Sequence, residues 1–199
     1  MTKKALLLSG GMDSVCIAWW KRPDYGITID YGQKPAPGEL RAASAVCQTI
    51  GIEHIVVRAD ISALGSGDLV GSTPSDDAPA SEWWPYRNQF LMTLAAMKCH
   101  QLSVNVLMIG ALKTDGFHAD GTIEFIEQMD ALFALQEGSL SIAAPAIGLT
   151  ASELVQASNV SPEVISWSHS CHVSEVACGF CRGCHKHFET METEFGTAY

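Results

Sequence analysis

Ser9-Gly10-Gly11-Met12-Asp13-Ser14 puts two glycines, two hydroxyls and one carboxylate into six residues. Glycine lets the backbone bend sharply and lets its N–H groups face a ligand with no Cβ in the way. Ser9 and Ser14 add hydroxyl donors, and a helix starting here adds the partial positive charge of its N-terminus. Together these make a nest for an anion such as phosphate. Asp13 would repel a bare phosphate but makes sense where Mg²⁺ bridges the two. The commoner phosphate loops, G-x-x-x-x-G-K-[ST] and G-x-G-x-x-G, do not occur. The alternative is an ordinary glycine turn with Asp13 or Ser14 as helix N-cap.

A second cluster lies near the other end of the chain. Cys171, Cys178, Cys181 and Cys184 are spaced C-x6-C-x2-C-x2-C, with Gly179 and Gly183 among them. Thiolates on such tight turns can converge on one ion, and four sulfurs with no open position describe a structural zinc site. An iron–sulfur cluster also takes four cysteines and is the rival reading. His169, His172, His185 and His187 stand close by, as substitutes for a thiolate or as partners of the ligands.

The elements that must carry these groups can be read from hydrophobic pattern. Residues 4–8 form a short apolar run, read as a buried strand, with a helix over Asp13–Lys21 after the glycine turn. Ile27–Tyr31 reads as a strand, Glu39–Ile50 as a helix and His54–Val57 as a strand. Strands alternating with helices indicate a parallel sheet covered on both faces. Residues 62–82 change to Gly, Ser, Pro and Asp and read as a long, mobile loop or lid. Beyond it come a helix over Asn88–Gln101, a strand over Val104–Ile109 stopped by Gly110, and a helix over Ile123–Gln136. Ser141–Ile147 contains Pro145 and reads as an edge strand or connector. Thr150 and Glu153 are spaced as a capping box. Residues 168–187 are the knuckle, followed by an acidic tail expected to be frayed. The expected fold class is α/β: a Rossmann-like parallel sheet of about five strands, helices on both faces and a C-terminal zinc knuckle. Residues 1–165 form the main domain, and 166–199 form the four-cysteine segment packed on it.

Composition bounds the function. Of 199 residues, 47% are hydrophobic and 17% charged, which excludes a disordered chain. Twelve basic against 22 acidic residues give a net charge of -10. That balance argues against gripping nucleic acid, which needs a basic face. It leaves room for a small anion held by backbone groups. No apolar stretch approaches the ~18 residues of a membrane span, and the four-residue run after Lys3-Lys4 is too short for a signal peptide. With seven cysteines, four of them in one cluster, the expectation is a cytoplasmic protein with a metal site.

SGGMDS resembles the SGG-x-DS loop of the ATP pyrophosphatases, or PP-loop enzymes. With the four-cysteine tail, the chain looks like the 7-cyano-7-deazaguanine synthase (QueC) branch of that superfamily. The resemblance extends to Ile29-Asp30-Tyr31-Gly32-Gln33 with Glu39-Leu40, to Arg87-Asn88, and to Glu124-Phe125-Ile126. It continues through Ala144-Pro145, Leu149-Thr150 and Trp167-Ser168-His169-Ser170-Cys171. It implies ATP as cosubstrate, with Mg²⁺ and Zn²⁺. It implies adenylation of 7-carboxy-7-deazaguanine, attack by ammonia to the amide, and dehydration to the nitrile by a second ATP. It also implies a homodimer. By direct match, Ser9, Gly11, Asp13 and Ser14 would hold the pyrophosphate, with Leu8, Gly10 and Met12 around the nucleotide. Tyr31 and Gln33 follow a strand's C-terminal end, where ligands bind in open α/β sheets. Arg87 can pair with phosphate or carboxylate and Asn88 can read a base edge. Lys113 and Asp115 follow Gly110 and point at the same site. Asp13, Ser14, Arg87, Lys113 and Asp115 are the expected catalytic groups; Gly110 joins the nucleotide site.

Three stretches depart from the family pattern. A Pro-Gly usually precedes Arg-Asn; here it is Trp83-Trp84-Pro85-Tyr86. The family's Tyr-Pro-Asp-Cys-Arg stretch becomes His118-Ala119-Asp120-Gly121-Thr122, and the basic pair after Tyr-Gly-Gln becomes Lys34-Pro35-Ala36. All three fall around the expected substrate pocket, and the ATP loop is untouched. The new aromatics are platforms for a base or a protein partner, or caps on the core. The alternatives are therefore a QueC-like ligase that delivers the activated deazaguanine to another amine, on a protein partner in an antiphage defence operon, or a non-catalytic nucleotide-binding module.

Overall fold

The computed structural model describes residues 2–197. Five short strands, β1 (Lys4–Leu7), β2 (Tyr25–Asp30), β3 (Glu53–Arg58), β4 (Val106–Met108) and β5 (Ser141–Ala143), form one parallel sheet in the order β3-β2-β1-β4-β5. The expected Rossmann-like parallel sheet of about five strands is present. β4 is shorter than the apolar run 104–109, because Val104 and Ile109 are buried just outside the ladder.

Side chains alternate along each strand and so feed two cores. Ala5 and Leu107 face one layer with Ile27, Met92 and Met129. Leu6 and Met108 face the other with Val15, Val46, Leu154, Ile165 and Met191. The second layer is made by α1 (Met12–Lys21), α2 (Ala36–Ile50), α5 (Ala151–Ser158), α6 (Pro162–Ile165) and α7 (Arg182–Phe195). The first is made by α3 (Arg87–Leu102) and α4 (Ile123–Ala134). Helix ends follow local chemistry. Thr150 and Glu153 cap α5 reciprocally, as their spacing predicts. Pro35 precedes α2, which ends at Gly51 in the left-handed conformation.

Two expectations need correction. The acidic tail is helical, since α7 runs to Phe195, with Met191 fully buried in the core and Phe195 packed against it. Its apolar residues are few, and burial of that one stripe is what holds it. Residues 59–86 are irregular apart from a short 3-10 turn at Ser62–Leu64, yet they are pinned. Leu69 and Trp84 are buried, Trp84 packs edge-to-face on Tyr31 at 5.3 Å, and Leu69 accepts a hydrogen bond from the Lys34 N–H. Among the described residues, no helix is long and apolar enough to cross a membrane.

Candidate functional site

The sheet order reverses direction between β1 and β4, since β2 and β3 lie to one side and β4 and β5 to the other. Ligands bind at such a switch point, beyond the carboxyl ends of the strands. A cavity of about 400 Å³ opens there. Leu8, Ser9, residues 11–14 and Gly110–Ala111 form its floor, Tyr31 and Glu39 one wall, Trp83, Trp84, Arg87 and Asn88 another, and residues 169–172 with α7 a third.

The loop at the end of β1 is shaped by its own residues. Gly10 adopts φ +79°, and a Cβ there would sit 2.5 Å from the Glu39 carbonyl oxygen; only glycine fits this approach. The Gly10 carbonyl accepts the His169 N–H at 2.8 Å. Gly11, the N-cap of α1, brings no capping side chain of its own. Instead Ser14 Oγ donates to the Gly11 carbonyl at 2.8 Å and lies 3.2 Å from Ser9 Oγ. The Gly11 N–H donates to Ser9 Oγ at 3.3 Å, and the Met12 N–H donates to Ser170 Oγ at 3.4 Å. The hydroxyls of Ser9, Ser14 and Ser170 therefore gather around the N-terminus of α1 at the cavity floor.

Asp13 is met by a residue that the motif itself does not contain. Lys186 Nζ donates to Asp13 Oδ2 at 2.7 Å. Burial pushes the Asp13 carboxyl up; Lys186 pulls it down and Asp115 pushes it up again. On the opposite wall, burial pushes Glu39 up to about 7, against the hydrogen bond from Gln33 and the charge of Arg87. Burial also pushes the Tyr31 hydroxyl up, with Arg87 opposing. Arg87 opens α3 and turns its Nε and Nη2 to Asn88 Oδ1, both at 3.3 Å.

Of the residues expected from sequence, Leu8, Ser9, Gly11, Met12, Asp13, Ser14, Tyr31, Arg87, Asn88, Gly110 and Asp115 line this cavity. Gly10, Gln33 and Lys113 do not. Gly10 packs its backbone on α2. Gln33 is buried, accepting the Tyr31 N–H at 2.8 Å and donating to Glu39 Oε2 at 2.7 Å, so it positions Glu39 instead of meeting a ligand. Lys113 is exposed, and its charge falls on Glu153.

Two of the three departures from the family pattern line the cavity, through Trp83 and Trp84 and through His118, Asp120 and Gly121, whereas Lys34-Pro35-Ala36 do not. Tyr86, where a glycine is expected, holds φ +61° at the start of α3 with its ring 80% exposed. Glu82 joins the pinned loop to the knuckle: Arg182 Nη1 lies 2.8 Å from its Oε1, and His118 Nε2 lies 3.9 Å from the same oxygen. Among the described residues, the buried Nδ1 atoms of His118 and His172 have no hydrogen-bond partner. Lys186, Glu82 and Arg182 were not legible as site residues. A signal for Lys186 existed, because Asp13 in an anion nest demands a cation.

The four cysteine sulfurs lie within 4.8 Å of one another, with Cys178–Cys184 at 3.9 Å and Cys171–Cys181 at 4.0 Å. One tetrahedral zinc with Zn–S bonds of ~2.3 Å separates its sulfurs by ~3.8 Å. The cluster therefore fits a single zinc ion. Backbone N–H groups of Cys181, Cys184 and His172 donate to its sulfurs. Burial pushes the Cys178 thiol up, but the N–H groups of Phe180 and Cys181 and the adjacent thiols outweigh it and bring it down to about 7.

Comparison with known proteins agrees with this geometry. The family model described as "Queuosine biosynthesis protein QueC" matches residues 3–194. Proteins named 7-cyano-7-deazaguanine synthase are similar over most of both chains. That of Methanobrevibacter smithii is 30% identical, covering 92% of this chain and 91% of its own. That of Pelobacter propionicus is 31% identical, covering 92% and 91%. That of Nostoc sp. is 31% identical, covering 92% and 89%. With the motif loop, the switch-point cavity and the four-cysteine knuckle all in place, the chain belongs to the QueC family.

Proposed function

We propose that this chain is an ATP-dependent ligase that adenylates a 7-deazaguanine carboxylate and passes the acyl group to ammonia. The observation that carries this reading is the convergence of the Ser9–Ser14 loop, Asp13 and Lys186 on one end of a cavity whose other walls are aromatic and amide-bearing. It is supported by relatives that bear the name of the nitrile-forming synthase.

A carboxylate is a poor electrophile until one of its oxygens leaves as a phosphate ester. In the first step a carboxylate oxygen attacks the α-phosphorus of ATP, the bond to the β-phosphate bridging oxygen breaks, and pyrophosphate leaves with the electron pair. Donors aimed at where that charge develops lower the barrier, a role the serine hydroxyls and the N-terminus of α1 would take. Ammonia then attacks the acyl carbon, AMP departs and a proton is released, giving the amide. A second ATP adenylates the amide oxygen with release of pyrophosphate, and loss of AMP and the two amide protons then gives the nitrile. Trp83, Trp84 and Tyr31 offer surfaces for a flat heterocycle, and Asn88 a donor and acceptor for its edge. Mg²⁺, when bound with the nucleotide, supplies charge neutralisation on the phosphates, and Asp13 and Asp115 are the carboxylates that would hold it. Zinc at the four cysteines would be structural, a closed set with no open position.

A second reading transfers the acyl group to an amine on another protein. It rests on exposed Tyr86 and Phe117, each one residue from a cavity-lining side chain, at a rim where an extended substrate would enter. One experiment tests both. Purified protein is incubated with Mg-ATP, 7-carboxy-7-deazaguanine and ammonium, and AMP, pyrophosphate and product mass are followed. AMP with nitrile supports the first reading. AMP that stalls at the adenylate or amide favours the second, and absence of AMP refutes both.

A further inference from the structure

The knuckle and the ATP loop lie at opposite ends of the sequence, yet a single side chain joins them. Lys186 sits in the second turn of α7, the helix whose N-cap is Cys181 and whose first turn carries Cys184. Its ammonium reaches Asp13 at 2.7 Å, its side chain is 38% exposed, and it lines the cavity beside Gly11, Asp13 and Asp115. It also borders a second cavity of about 500 Å³ between α5 and α7, with Arg182 and His185.

An ordinary surface ion pair has no need of this position. Such pairs contribute about 0–1 kcal/mol and occur anywhere on a surface. This pair stands at the one place where an anion nest contains a carboxylate that opposes its own ligand. Among the described residues the Lys186 ammonium donates one hydrogen bond, to Asp13. An ammonium has three donors, so two remain for phosphate oxygens without breaking the pair.

We propose that Lys186 is a pyrophosphate-binding residue of this site, delivered to the nucleotide loop by the cysteine knuckle. The inference rests on the ATP reading above and adds a ligand for the leaving group. As the α-phosphorus to bridging-oxygen bond breaks, negative charge gathers on the β- and γ-phosphates. The lysine is a compact point charge suited to it, while Asp13 holds the ammonium over the loop. The knuckle's role then extends past folding: a metal ion at the four cysteines fixes the helix that presents the cation.

The test uses the full chain, inorganic pyrophosphate and Mg-ATP. Calorimetric titration compares the unmutated protein with Lys186→Met and Lys186→Arg, each checked for bound metal and melting temperature. Loss of one charge-assisted contact predicts at least about tenfold weaker pyrophosphate binding by Lys186→Met. Retained metal and recovery of most of the affinity in Lys186→Arg are the other expected results. Equal affinity in Lys186→Met and the unmutated protein overturns the inference, as does lower melting temperature with affinity intact, the signature of a purely structural tie. A second measurement needs no variant: pyrophosphate should protect Lys186 from reductive methylation, read by peptide mass, and unchanged labelling overturns the inference. If the unmutated protein binds neither pyrophosphate nor Mg-ATP, the ATP reading itself fails.

Discussion

Gly10 and Gly11 are adjacent in the same loop, yet replacing each with alanine should have opposite consequences. At Gly10 the backbone is left-handed, φ +79°, which costs a residue with a Cβ about 1–2 kcal/mol. The new Cβ would also lie 2.5 Å from the Glu39 carbonyl oxygen and 3.1 Å from Ala42 Cβ. Neither backbone can yield without moving α2, and overpacking of this kind costs about 1–3 kcal/mol. The sum is about 2–5 kcal/mol, or roughly 4–20 °C of melting temperature for a chain of this size. At Gly11, φ is -70° and the Cβ would meet Ser9 Oγ at 3.3 Å and His169 O at 3.8 Å. That contact is tight but relieved by turning one hydroxyl. Stability should change by less than about 1 kcal/mol, while the methyl crowds Ser9 in the cavity floor. Gly11→Ala should therefore melt near the unmutated protein and bind pyrophosphate at least about tenfold more weakly. Thermal melts and calorimetry on both variants decide the matter. Equal losses of stability, or a Gly10→Ala protein that melts normally, would refute the account of this loop.

Other outcomes follow from the same structure. Purified protein should be colourless with one zinc per chain. Stripping it with a strong chelator should lower the melting temperature by at least about 5 °C, since structural zinc contributes about 10–16 kcal/mol in small peptides. Glu39 is pushed up to about 7 from 4.5 by burial, so the folded state holds this proton more tightly than the unfolded chain does. Its contribution is complete below about pH 4.5 and is lost as pH rises through about 7, by at most about 3 kcal/mol. Glu39→Gln, which still accepts from Gln33, should accordingly gain stability over the unmutated protein at pH 8 relative to pH 5; parallel pH curves from urea melts would contradict this. Tyr86→Gly should raise stability by about 0.5–1 kcal/mol, because φ +61° penalises tyrosine and its exposed ring loses little packing.

The sheet was legible because its signals are local. Ala5 to Leu8 and Ile27 to Ile29 are runs bounded by glycine or charge, and helices with strong capping, such as the one opened by Thr150 and Glu153, announce themselves. Cys171 to Cys184 was readable for the same reason, since spacing along the chain becomes geometry within one knuckle. What stayed hidden depends on distance along the chain. Lys186 is 173 residues from Asp13, and no local pattern relates them. Gln33 misleads in the other direction: a polar side chain just past a strand end suggests a ligand contact, but burial turns it to the backbone and to Glu39. The tail after Cys184 reads as polar and loose because its helix buries only a narrow stripe, Met191 above all.

The loop after β1 touches the knuckle region three times, through Gly10 with His169, Met12 with Ser170 and Asp13 with Lys186. These contacts span 158 to 173 residues. The loop is synthesised well before these partners and is therefore completed late. During synthesis the glycine turn waits for groups made 158 to 173 residues later. Contacts of such separation slow folding, but they also set a sequence of events. A growing chain that stops before the cysteines carries SGGMDS without its roof or its cation. On the proposed reading, a chain truncated before the cysteines should lose nucleotide binding altogether.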